Sequence, residues 1–193
     1  EAGPVAGGMM RFGIPKYRLP REVLDGEVKR ILDLGVSLEL GRKVENIQHA
    51  MQEGGFDAAF LAVGAHIAKR TFIPAGSTAR ILDAVSMLRS MEGAEPPLLG
   101  RRVVIYGGGN TAIDAARTAK RLGAEEAIIV YRRTRERMPA HDFEVEEALE
   151  EGVLMRWLST ITHVDQGSIA IEKMRLDENG FPVLFVPSIA GIM

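Results

Sequence analysis

The stretch VVIYGGGNTAIDAA, Val103 to Ala116, sets three consecutive glycines between an apolar run and a small-residue helical pattern. Glycines in a row cost conformational entropy on folding. Such a loop is either a tight connection or a place where something must approach the backbone closely. The text on both sides decides between these. Val103–Tyr106 reads as a strand, and Thr111–Leu122 as a helix with Ala112, Ala116 and Ala119 on one face, stopped by Gly123. Ala127–Tyr131 reads as a second strand. Strand, glycine loop, helix and strand make a βαβ unit, whose crossover is expected to be right-handed.

Within that unit the glycines read G-x-G-x-x-A: Gly107, Gly109 and Ala112. The first permits the tight turn, the second lets a pyrophosphate reach the backbone, and the third small residue lets helix and strand pack closely. The bare backbone of Gly107, Gly108 and Gly109, with Asn110, Thr111 and Ala112 opening the helix, is the candidate phosphate site. There free N–H groups and a partial positive charge meet the ligand. The end of the second strand selects the dinucleotide. An NAD site usually has an acid there, accepting from the ribose 2′-hydroxyl. This chain instead has Arg132 and Arg133. Guanidinium donors suit a 2′-phosphate that a carboxylate would repel, so NADPH is preferred over NADH. Arg135 and Arg137 extend the basic patch, although a solvated loop explains that outer pair as well. Tyr131 either stacks on adenine or packs against its neighbours.

Outward from this unit the signals weaken. An acidic helix is expected at 141–151, with Glu144, Glu146, Glu147, Glu150 and Glu151 as a solvated face. Asp114 reads as complementing the helix dipole. Val153, Met155 and Trp157 alternate, as do Ile169 and Ile171, and Asn179-Gly180 is a hairpin signal with Pro182 suited to an edge. Toward the N-terminus, Pro20 can open a helix carrying Leu24, Val28, Ile31 and Leu32 on one face. Val36–Leu40 alternates like a strand. Phe56–Val63 is an apolar run consistent with a strand buried on both faces.

Composition excludes several classes. Net charge is −2, so no global basic field points to nucleic acid. No apolar run is long enough to span a membrane. Cysteine is absent, which removes disulfides, thiolate metal sites and iron–sulfur ligation from this chain and fits a reducing, cytoplasmic setting. The histidines at 49, 66, 141 and 163 lack metal-ligand spacing, and no nucleophile elbow is present. The chain opens on Glu1 rather than Met, and we expect a piece of a longer protein.

Several blocks in register carry a more specific signal. They are Gly8-Met9-Met10-Arg11-Phe12-Gly13-Ile14-Pro15-Lys16-Tyr17-Arg18-Leu19-Pro20, Phe56-Asp57-Ala58-Ala59-Phe60-Leu61-Ala62-Val63-Gly64-Ala65, the glycine loop with its helix, and Tyr131-Arg132-Arg133 with Met138-Pro139-Ala140. Their order and spacing resemble the glutamate synthase small (beta) subunit family from residue 1 to about 180, while 186–193 depart from it. The resemblance implies an α/β fold: a Rossmann-like NADPH-binding domain, here 73–193, with a partial FAD-binding domain, here 1–72. It implies that NADPH passes hydride to FAD and that electrons leave through iron–sulfur clusters. The partner would be the glutamate synthase large subunit or another redox subunit. By the same resemblance Glu1 would bind the adenosine ribose of FAD, and Gly8, Met9, Arg11 and Gly64 would line the flavin side. The FAD site is then incomplete in this chain, which by itself is expected to be inactive. Hydride transfer needs no side-chain base, so no catalytic residue is expected. A ferredoxin-type NADPH oxidoreductase subunit, a non-enzymatic NADP(H)-binding module and a structural docking domain are the alternatives.

Overall fold

The computed structural model describes residues 1–64, 72–77, 80–93, 95–165 and 167–185. The readings of Ala65, of much of the stretch 66–79 and of 186–193 lie outside the described residues.

A short helix α1 (Gly8–Phe12) precedes α2 (Arg21–Leu32), which starts at Pro20 as expected. Of the apolar face assigned to α2, Leu24 is buried while Ile31 is 53% exposed, so only part of that face is covered. Helix α3 (Ile47–Gly54) is capped by Asn46, whose Oδ1 accepts from the His49 amide at 3.0 Å. Helix α4 (Ala84–Ser90) is capped by Asp83, whose Oδ1 accepts from the Ser86 amide at 2.8 Å. Each cap satisfies one of the amides that a helix start leaves without a partner.

Two expected strands do not form. Val36–Leu40 is irregular, and so is Phe56–Val63, where Phe60 is 93% exposed. A strand needs a neighbour to satisfy its backbone groups, and none of the described strands pairs with either run. The nearest approach to pairing lies beside the first run. There Gly41 N donates to Gly3 O at 2.9 Å, and Arg42 N donates to Glu1 O at 3.0 Å.

The dinucleotide-like unit forms with every boundary within a residue of expectation. Strand β1 (Arg102–Tyr106), helix α5 (Asn110–Arg121), strand β2 (Glu126–Tyr131), helix α6 (Asp142–Glu150) and strand β3 (Leu154–Trp157) follow in order. The strands make a parallel sheet in the order β1-β2-β3, with Val104 beside Ile128 and Ile128 beside Leu154. Ile105 and Ile129 face the helices, in a core with Met87, Ile113, Ala116 and Val145. Ile128 and Val130 face the other way, against Ile161. Burial on both faces explains why β2 is continuously apolar rather than alternating.

The second cover comes from an antiparallel sheet, β4 (Ser159–Asp165), β5 (Ser168–Leu176) and β6 (Pro182–Leu184). The Tyr106 hydroxyl lies 2.8 Å from Thr160 Oγ1, joining the two sheets. Asn179-Gly180 makes the β5–β6 turn as expected. Gly180 sits at φ 75°, and Asp177 Oδ1 accepts from the amides of Asn179 and Phe181 at 3.0 and 2.7 Å. Pro182 opens the outer strand, where no further ladder bond is required of it. Among the described residues no helix is long and apolar enough to cross a membrane.

Candidate functional site

The glycine loop leaves β1 at Gly107, whose amide donates to Val130 O at 3.1 Å across the sheet. Gly107 has φ 152°, a backbone that a side chain rarely adopts. Gly109 stands at the head of α5 and its carbonyl accepts from Ala112 N at 2.8 Å and Ile113 N at 3.2 Å. The amides of Asn110 and Thr111 donate to no backbone carbonyl among the described residues. They are the free donors of a helix N-terminus, next to a loop without side chains, which is the arrangement a pyrophosphate requires.

Arg132 is exposed and Arg133 half-buried, both directly after β2. Neither pairs with a carboxylate among the described residues, and Arg133 Nε makes no hydrogen bond there. Arg135 differs: its Nη2 lies 3.1 Å from Glu146 Oε1. Two cations without a counter-ion among the described residues, at the end of the strand beside the glycine loop's own, have the chemistry to take a phosphate.

The structure corrects two readings of charge. Asp114 is 3% exposed and Glu144 1% exposed, so neither is solvated, and Asp114 lies beyond the first turn of α5, where the helix dipole has faded. Arg18 joins them: Nη1 lies 2.6 Å from Asp114 Oδ2, and Nη2 pairs with Glu144 Oε1. Arg117 on α5 extends the network to Glu147 and Glu151, each at 2.6 Å. Burial pushes the Asp114 carboxyl up, against the lowering effect of Arg18. Sequence reading missed this cluster because its partners are distant along the chain, and Arg18 is only one of three cations, with Arg11 and Lys16, in its own block.

Tyr17 lies against the same network, with the guanidinium carbons of Arg121 and Arg117 at 4.1 and 4.9 Å from its ring centroid. Burial, then the nearby Asp114 carboxylate, push its phenol up to about 12, although Arg117 opposes them. An unfolded tyrosine ionises near pH 10. The folded-state stability from Tyr17 is therefore complete below about pH 10 and is lost as pH rises toward 12. In a spectrophotometric titration, the difference between the native chain and Tyr17→Phe should have a midpoint near 12. A midpoint near 10 would contradict this environment.

The residues implied for the flavin side are placed differently. Arg11 is 9% exposed, with Nε donating to Ala6 O at 2.6 Å and its guanidinium paired with Asp25. The Glu1 carboxylate accepts from Gly3 N at 2.7 Å. Gly8 and Met9 open α1, and Gly64 ends the irregular apolar run at φ 69°. The donors of Arg11 are used within the chain and the strand leading to Gly64 is not formed. The described residues do not assemble a flavin cradle.

A glycine loop at a helix start between parallel strands defines a dinucleotide-binding α/β unit. The model of the pyridine nucleotide-disulphide oxidoreductase family matches residues 10–186, and the chain belongs to that family. With no cysteine present, these residues carry no disulfide chemistry. The chain is 41% identical over 162 residues to the NADP(+)-dependent formate dehydrogenase subunit beta of Moorella thermoacetica, covering 82% of this chain and 23% of that one. It is 40% identical over 151 residues to an NADPH-Fe(3+) oxidoreductase subunit beta of Geobacter sulfurreducens, covering 76% and 22%. The resemblance to glutamate synthase small chains also holds. A putative NADPH-type small chain of Cereibacter sphaeroides is 35% identical over 187 residues, covering 90% of this chain and 45% of that one. The chain thus spans less than half the length of these relatives. In fold it resembles FprA of Mycobacterium tuberculosis, solved in complex with NADPH, at TM-score 0.70 and 17% identity, covering 97% of this chain and 59% of that one.

Proposed function

We propose that this chain is the NADPH-binding part of a flavin-dependent oxidoreductase. Gly107, Gly108, Gly109, Asn110, Thr111 and Ala112 hold the pyrophosphate, and Arg132 and Arg133 hold the 2′-phosphate. The observation that carries this reading is the combination of free amides at the head of α5 with two arginines at the end of β2 that have no counter-ion among the described residues. When bound, NADPH supplies a hydride. The chain's own residues orient the dinucleotide and contribute no acid or base to the transfer.

In the whole protein, residues 73–193 serve as the NADP(H) unit and 1–72 belong to an FAD-binding unit, although Glu1 and Arg11 are engaged within the chain rather than set out as a flavin cradle. A cytoplasmic glutamate synthase small-subunit role, with the large subunit as partner, is one assignment. The higher identities to beta subunits of a formate dehydrogenase and an iron(III) oxidoreductase favour a second, in which another redox subunit exchanges electrons with the same module.

Parallel calorimetric titrations with NADPH and NADH at fixed salt test the binding reading. Arg133→Ala is expected to weaken NADPH by about 1.5–3 kcal/mol, the worth of a charge-assisted bond to phosphate, or roughly 10- to 150-fold. NADH binding should hardly change. Equal losses for both cofactors would sink the 2′-phosphate assignment.

A further inference from the structure

Tyr131 is the last residue of β2 and is 9% exposed. Its ring lies directly against the backbone of Gly108: a Cβ added there would come within 2.5 Å of ring carbon Cδ2 and 2.6 Å of Cε2. Gly108 is therefore a glycine because this ring occupies the space of a side chain. The ring is not free to stack on a base. At its other end the Tyr131 hydroxyl donates to Arg137 O at 2.7 Å. One side chain thus touches the phosphate loop and closes the arginine loop that begins at the next residue.

Two further bonds run between the same loops. Ala140 N donates to Gly108 O at 3.1 Å. His141 N donates to Asn110 Oδ1 at 3.2 Å, so the Asn110 side chain serves the loop junction rather than a ligand. Arg132 and Arg133 lie between the two points at which Tyr131 anchors this loop. Long arginine side chains lose much conformational freedom on binding, and a loop held in place in advance reduces that loss.

We propose that Tyr131 is a positioning and specificity-determining residue. Through its hydroxyl it sets the spacing between the phosphate loop and the arginine pair, and so the preference for a 2′-phosphorylated dinucleotide. The inference rests on the binding reading above. Gly108 needs the ring alone, whereas the arginine loop needs the hydroxyl, and this asymmetry makes the two contributions separable.

The test is titration of the native chain, Tyr131→Phe and Tyr131→Leu with NADPH and with NADH at fixed salt, together with amide hydrogen exchange at Ala140. Tyr131→Phe keeps the ring and removes one hydrogen bond. It should weaken NADPH about 3- to 10-fold, leave NADH unchanged and speed exchange at Ala140. Tyr131→Leu, which also removes support from Gly108, should weaken both cofactors. A Tyr131→Phe variant that loses equally for both cofactors would assign the hydroxyl to the fold alone and overturn the inference. An unchanged NADPH-to-NADH ratio in a chain that does discriminate would overturn it while leaving the arginine assignment intact. A native chain with no preference for NADPH would overturn the arginine assignment itself, and this inference with it.

Discussion

Replacing Arg18 with Met is expected to destabilise the protein by about 3–5 kcal/mol at neutral pH, because it removes the cation that pairs with two buried carboxyl groups. The Asp114 and Glu144 side chains are 4% and 1% exposed, and Arg18, itself 25% exposed, is the cation that both contact. Even with Arg18 present, Asp114 Oδ1 and Glu144 Oε2 are buried without hydrogen bonds. Burial already pushes the Asp114 carboxyl up, and removing Arg18 takes away the charge that opposes that rise. A carboxyl raised in this way keeps its full stability contribution below the unfolded value near 4 and loses it as pH rises through the folded one. The deficit of Arg18→Met should therefore be small at pH ~4.5 and large at pH ~7. Urea unfolding of both proteins at the two pH values measures it. A deficit under about 1 kcal/mol at neutral pH would mean that water or another group already serves these carboxylates. The consequence would extend beyond stability, since this arginine ties the Gly13–Pro20 segment to the helix that follows the glycine loop.

The second large effect is expected at Ile129. It is 1% exposed in the central strand, paired with Ile105 on one side and Met155 on the other. Ile129→Ala removes methyl and methylene groups from a core packed on both sides and should cost about 2–5 kcal/mol, with the spread set by how far the site can collapse. No charge is involved, so the cost should be the same at pH ~4.5 as at pH ~7, in contrast to Arg18→Met. If the Ile129→Ala deficit varied with pH as strongly as the Arg18 deficit, the electrostatic account of Arg18 would lose its basis.

Local signals were read correctly where the physics is local. The G-x-G-x-x-A spacing, the alanine face of α5 and the continuous apolar run of β2 act over a few residues. They placed the strands, the helix and the loop before any tertiary contact was known. The same reading failed for Phe56–Val63. Apolar character favours burial, but a strand also needs a neighbour for its backbone, and periodicity cannot supply one. It failed again at Glu144. Five glutamates in one helix resemble a solvated surface until one of them proves to face a cation 126 residues earlier in the chain.

The sequence by itself determined the class of protein: the order of the βαβ unit, the bare glycine loop and the basic end of β2 follow from residue types and spacing. Tertiary structure alone decided which polar residues bind inward and which remain available. Asp114 and Glu144 are committed to Arg18, Arg135 is paired with Glu146, and Tyr131 lies beneath Gly108. Among the described residues, Arg132 and Arg133 remain without counter-ions. A charge or a ring is used by whatever the fold brings within a few ångströms of it, and that distance is written in no short stretch of sequence.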